Sequence, residues 1–160
     1  MIKSKISGTN ELKREIEKIV KSLDAPMVSV GIHDDAVDPP DGEINMATLG
    51  AVHEFGNDKI PARPWLLRGF NSGRREYLAM LEDGINETVQ KGTDIRKTFN
   101  AIGVMAVGKV QLFITALKTP ANSDITIARK KGADNPLIYT GAMKNSVNYK
   151  LHDGRLEEGL

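Results

Sequence analysis

Apolar side chains at Leu12, Ile16, Ile19, Val20 and Leu23 fall on one face at helical spacing, which predicts a helix from Asn10 to Leu23. Thr9 or Asn10 supplies its N-cap, and Glu and Lys fill the opposite face. Ala25-Pro26 ends it. Met27 to His33 is short and partly β-branched, the pattern of a strand. From Ile44 to Phe55 the period is helical again, through Ile44, Leu49, Val52 and Phe55, and Gly56 is placed to close that helix. A third helix opens at Pro64 and runs to about Gln90. It turns Leu67, Phe70, Tyr77, Leu78, Leu81, Ile85 and Val89 toward a core, with Gly73 and Gly84 as points of bending or interruption. The best-specified element spans Ile95 to Leu117, with Thr93 or Asp94 as cap. Its apolar positions step by 4, 3, 4, 4, 3 and 4, a continuous stripe. Gly103, Ala106 and Gly108 within it predict the close approach of another helix.

The intervening segments are polar. Residues 34–43 are dense in Asp, Pro and Gly and predict a flexible, projecting loop. Asn57-Asp58-Lys59 is a turn, and Ile60 to Pro64 is extended because residues before Pro avoid the helical region. Residues 118–135 form a second loop, with a short strand at Ile125-Thr126-Ile127. Thr140 to Asn145 makes one helical turn. Ser146 to His152 alternates as a half-buried strand does, and Asp153-Gly154 leads toward a hairpin. Helices and strands do not alternate regularly. The order predicts an α+β fold: a small, mostly antiparallel sheet packed against two long helices plus a shorter N-terminal helix, in a single domain over 1–160.

Composition narrows the partners. Lys+Arg is 22 and Asp+Glu 21, a net charge of +1, without the basic excess of a dedicated DNA binder. Cysteine is absent, which excludes disulfides, a thiol nucleophile and Cys-based zinc. Aromatics are 5%, so the core rests on aliphatic side chains and Met. No uninterrupted apolar run reaches the ~20 residues of a membrane span. The first residues are basic but lack the apolar stretch of a secretory signal.

The chemistry motifs fail on spacing. His53-Glu54 invites a zinc-hydrolase reading, but a second His is needed four residues on, and position 57 is Asn. A three-His site would need His33, His53 and His152 to converge, which nothing in the sequence predicts. Asp34, Asp35, Asp38, Asp41 and Glu43 miss the intervals of a calcium loop, and Pro39-Pro40 stiffens the middle. There is no phosphate-cradling glycine motif and no G-x-S-x-G. Glu82 and Asp83 are adjacent on a helix and diverge. Arg63, Arg68, Arg74 and Arg75, and later Arg129, Lys130 and Lys131, form local basic sets suited to phosphates or acidic protein loops, without the aromatic interleaving of single-strand binders. The expectation is therefore a chain with no catalytic residues, no metal site and no cofactor.

Two segments carry a resemblance. One runs Ala47-Thr48-Leu49-Gly50-Ala51-Val52-His53-Glu54-Phe55-Gly56 and continues as Ile60-Pro61-Ala62-Arg63-Pro64-Trp65-Leu66. The other is Asn135-Pro136-Leu137-Ile138-Tyr139-Thr140-Gly141-Ala142-Met143-Lys144-Asn145-Ser146-Val147. In order and spacing they resemble the paired signatures of tailed-bacteriophage neck and tail-completion proteins, the virion morphogenesis group, departing at Tyr139, where an acidic residue is usual. The resemblance implies a structural virion protein of the head-tail connector region. It implies a homo-oligomeric ring, most often sixfold, that completes the tail or joins it to the head around the DNA channel. Neighbouring connector, tail terminator or tail tube proteins are the implied partners, with DNA only passing through and no membrane. The implied location is the virion neck or tail end, assembled in the host bacterial cytoplasm. A tail terminator ring capping the tube is a second role in the same group. A host or prophage-derived protein-binding module is a reading of another class. The signature residues His53, Glu54, Phe55, Gly56, Pro61, Arg63, Pro64, Trp65, Pro136, Leu137, Thr140, Gly141 and Ser146 are the expected core or interface anchors. Asp34, Asp35, Asp38 and Asp41, with Arg129, Lys130 and Lys131, are the expected loop contacts between subunits or rings.

Overall fold

The computed structural model describes residues 26–33, 36 and 44–153. The helix expected over 10–23, most of the 34–43 loop with Asp34, Asp35, Asp38 and Asp41, and any hairpin beyond Asp153 lie outside the described residues.

The architecture is α+β. In chain order it has β1 (Met27–Gly31), α1 (Met46–Phe55), α2 (Trp65–Asn71), α3 (Arg74–Lys91), α4 (Arg96–Ala116), α5 (Asp124–Arg129), α6 (Ala142–Asn145) and β2 (Asn148–His152). The two strands pair antiparallel, Met27 opposite His152 and Gly31 opposite Asn148. Helix α4 is the hub: it packs against α2, α3 and both strands. From its expected stripe Ile95, Ile102, Ala106, Val110 and Leu117 are buried and Phe99 and Phe113 half-buried, and Ile114, outside that stripe, is fully buried beside them. By length and composition α4 is apolar enough to cross a membrane, with a mean hydropathy of 1.4 over an 18-residue window. In this fold its stripe is the core. Asp94 starts the helix by accepting the Arg96 N–H at 2.9 Å.

Two apolar clusters meet along α4. The larger is built from Met46, Trp65, Val110, Ile114, Leu117, Leu137, Met143 and Val147. The smaller holds Tyr77, Ile102 and Ala106. The close helix approach comes from α2 rather than from the glycines of α4. A Cβ on Gly69 would lie 2.9 Å from the Val110 Cα, so only glycine lets the two backbones approach this closely. Gly103 instead receives the ring of Tyr149 from β2, and Gly108 faces open space.

The 64–90 region departs from the single helix expected. It divides at Ser72-Gly73 into α2 and α3. The Ser72 hydroxyl donates back to the Gly69 carbonyl at 2.6 Å, closing α2, and the Tyr77 ring occupies the space beside Gly73. Gly84 does not interrupt α3; it seats Thr98 of α4. Leu67, Leu78 and Val89 are 61%, 57% and 47% exposed, not core. The break rotates α3 relative to α2, so one stripe cannot serve both. The short strand expected at Ile125-Thr126-Ile127 is the helix α5 instead. Ser123 accepts the Thr126 N–H and Asp124 sits in the first turn, and these N-terminal signals outweigh three β-favouring side chains that pair with no strand among the described residues.

Candidate functional site

The first signature folds into a closed corner. Asn45 caps α1 by accepting the Thr48 N–H at 2.7 Å. At the other end Gly56 takes φ 73°, and a Cβ there would sit 2.6 Å from the Ala62 nitrogen, so the returning chain requires glycine. The Arg63 N–H donates to the His53 carbonyl at 2.7 Å, fastening the return. Pro64 is the residue just before α2 rather than its first helical residue, and its own side chain provides no cap. Glu54 does this instead: its carboxylate accepts the Leu66 and Leu67 N–H groups at 2.7 and 3.2 Å, meeting two of the orphan donors at that helix start. Trp65 is 2% exposed, a core anchor, and its indole N–H donates to the Gly50 carbonyl at 2.9 Å. Phe55, by contrast, faces solvent, as does Pro61.

Arg63 is the one buried charged residue among those described, 4% exposed. Its Nε and one terminal nitrogen donate to the carbonyls of Pro120 and Ala121 at 2.8 and 3.0 Å. This is the forked geometry of a guanidinium, spent on a loop backbone. Burial without a carboxylate partner holds its pKa below the usual value.

The second signature wraps onto the same corner. Pro136, Leu137 and Met143 are buried. Thr140 accepts the Ala142 N–H at 3.2 Å, Gly141 takes φ 85°, and the Ser146 hydroxyl donates to the Ala142 carbonyl at 3.0 Å. These are turn and cap roles. Asn135 was not singled out from the sequence and is the hub of this segment. Its amide nitrogen donates to the Ile114 and Thr115 carbonyls, both at 3.0 Å, and its oxygen accepts from Leu137 and Ile138, both at 2.9 Å. It thereby satisfies carbonyls left open at the end of α4. The only local signal is an Asn ahead of Pro-Leu, a common turn opener.

Between the two signatures lies a cavity of about 450 Å³. Helix α1 contributes Met46, Leu49 and His53. Helix α5 and its approach contribute Asn122, Thr126, Arg129 and Lys130. The 136–143 segment supplies the remaining wall, from Pro136 and Leu137 to Tyr139, Thr140 and Met143. The structure thus brings together His53, Arg129, Lys130, Pro136, Leu137, Thr140 and Gly141, residues up to 88 positions apart in sequence (141 − 53). Lys131 is exposed at the turn after α5 and does not line the cavity. The Lys130 ammonium donates to the Asn135 carbonyl, and burial with the nearby Arg63 charge lowers its pKa.

His53 sits in this wall with its Nδ1 buried and without a hydrogen-bond partner. Burial, reinforced by Arg63 and Lys130, pulls its pKa from 6.5 down to about 4. Between these values the unfolded chain binds a proton that the folded chain refuses. Stability therefore falls as pH drops from 6.5 toward 4 and is unaffected by this group above 6.5. Urea unfolding at a series of pH values should show that loss, and His53→Gln should flatten the slope in this window.

His33 and His152 do converge, though without His53. The Ser29 hydroxyl lies 3.0 Å from the His33 Nε2 and 2.8 Å from the His152 Nε2. Ser29 and His152 are same-face neighbours on the paired strands, and His33 follows two residues after the end of β1. The hydroxyl carries one proton, so at least one imidazole donates to it. Among the described residues, no group of three or more His, Asp and Glu side chains is placed to hold a metal ion. Compared with protein-family models, with curated proteins and with solved structures, the chain matches none.

Proposed function

We propose that this chain is a structural component of the neck or tail end of a tailed-phage particle, acting as a ring subunit that completes the tail or joins it to the head. The observation that carries this reading is that the two signature segments form one unit, with a corner, a wrap and a cavity between them. Within that unit the polar side chains Glu54, Arg63, Asn135, Thr140 and Ser146 are all engaged with backbone groups. Such wiring fixes the shape of a docking surface. A nucleophile beside a base is the arrangement catalysis would ask for, and the unit is organised otherwise. A ring subunit needs this kind of rigidity, because a small angular error at each heterologous contact accumulates and prevents closure.

The test is genetic. Deleting the gene from the phage or prophage that carries it should leave filled heads and tails that do not yield infectious particles, with infectivity restored by the gene in trans. A deletion strain with normal infectivity overturns the reading.

A further inference from the structure

The cavity has two chemistries. Met46, Leu137 and Met143 make an apolar floor, while Arg129 and Lys130 stand on one side, and no carboxylate lines it among the described residues. Arg129 has no hydrogen-bond or ion-pair partner among the described residues, and Lys130 gives its ammonium to a neutral carbonyl. Asp134 offsets part of the Lys130 charge, but its carboxylate is hydrogen-bonded to Lys118 at 3.0 Å. The wall also holds the unpartnered His53 Nδ1. An occupant that fits brings carboxylates to one side and an aliphatic group to the floor. A volume of about 450 Å³ lies in the ordinary range for ligand sites.

The chain itself contains a segment of that chemistry. Residues 34–43 hold five acidic residues and no Lys or Arg, with Val37 as the largest apolar side chain. The whole chain is nearly neutral at +1, so this segment is acidic against a balanced background. Pro39 and Pro40 fix φ at two positions, which lowers the ordering cost of docking.

We propose that the cavity receives the 34–43 segment of a second copy of this chain, with its carboxylates against Arg129 and Lys130 and Val37 toward the floor. Donor and receptor are different patches, so the contact is heterologous and propagates into a ring when the rotation closes. The inference rests on the ring-subunit reading and names the contact that builds the ring.

A charge swap tests it on the full chain by sedimentation velocity over a range of concentrations. The receptor variant carries Arg129→Glu and Lys130→Glu; the donor variant carries Asp34→Lys, Asp35→Lys and Asp38→Lys. Wild type should self-associate at low salt and less so at high salt. Each variant alone should lose association at least about tenfold, since like charges then face each other. An equimolar mixture should recover it, because every contact in an alternating assembly is again between opposite charges. Circular dichroism confirms that both variants fold, and Arg129→Glu alone provides a milder receptor change at an exposed side chain. A wild type that stays monomeric, reversals without effect, or a mixture no better than its components each overturn the proposal. The mixture also separates a contact between copies from one within a chain, which mixing cannot restore. A failed swap alongside a non-infectious deletion strikes this contact and leaves the assembly role standing.

Discussion

Trp65→Ala should cost about 3–5 kcal/mol, the range for removing a large aromatic from a packed core. For a domain whose total stability is on the order of 5–15 kcal/mol, that is a large share of the margin. The reasons are local. Trp65 is fully enclosed between α1 and the α4 stripe, as part of the larger apolar cluster. It sits so close to α1 that a Cβ on Gly50 would lie 3.1 Å from its ring. Its indole N–H is the direct tie from α2 to the α1 backbone. Trp65→Phe separates the two contributions: it keeps much of the ring burial, loses the hydrogen bond and should cost about 1 kcal/mol from that bond plus the smaller ring. Urea unfolding of the three proteins measures the series. A Trp65→Ala chain within 1 kcal/mol of wild type would mean that this side chain is not the anchor of the corner.

Arg63→Ala should cost about 3 kcal/mol and act at a distance. Two loop carbonyls, at Pro120 and Ala121, lose a charged donor, and bonds to charged groups are worth about 1.5–3 kcal/mol each. The net figure is kept down because the guanidinium is itself buried without a counter-charge, a cost the substitution removes. The second readout is more specific than stability. The loop that Arg63 holds leads into Asn122 and α5, one side of the cavity. Hydrogen exchange should therefore rise over 118–123 while α4 stays protected. Arg63→Lys should recover little, because an ammonium on a flexible stem lacks the fixed two-pronged fork. Unchanged exchange in that loop would sink the tether.

The elements with strong local periodicity were legible in the sequence, and those set by distant partners were not. The 4-3-4 stripe of α4, the Gly56 corner and the strand at 148–152 follow from spacing and turn chemistry alone. Arg63 as a fork and Trp65 as a core residue could be anticipated from residue type. The break at Ser72-Gly73 could not, because it depends on where the Tyr77 ring sits. Helix α5 was hidden by Ile125, Thr126 and Ile127, whose strand preference is real but weak against a Ser cap. The Ser29, His33 and His152 cluster depends on a register between strands more than a hundred residues apart, and local pattern carries no such information. The cavity is the same kind of case: its walls are ordinary helix and turn residues until the 136–143 segment closes over α1.

That long-range pairing has a kinetic consequence. Strand β1 is made more than a hundred residues before β2, at 148–152, its only strand neighbour among the described residues. The helices between them can form from local contacts as they emerge, but the sheet requires a loop closure spanning most of the chain, which is slow even where it costs little in final stability. On the ribosome, β1 waits as an open edge until β2 is made, exposed to any other strand in reach. Productive pairing of this sheet thus waits on the arrival of β2.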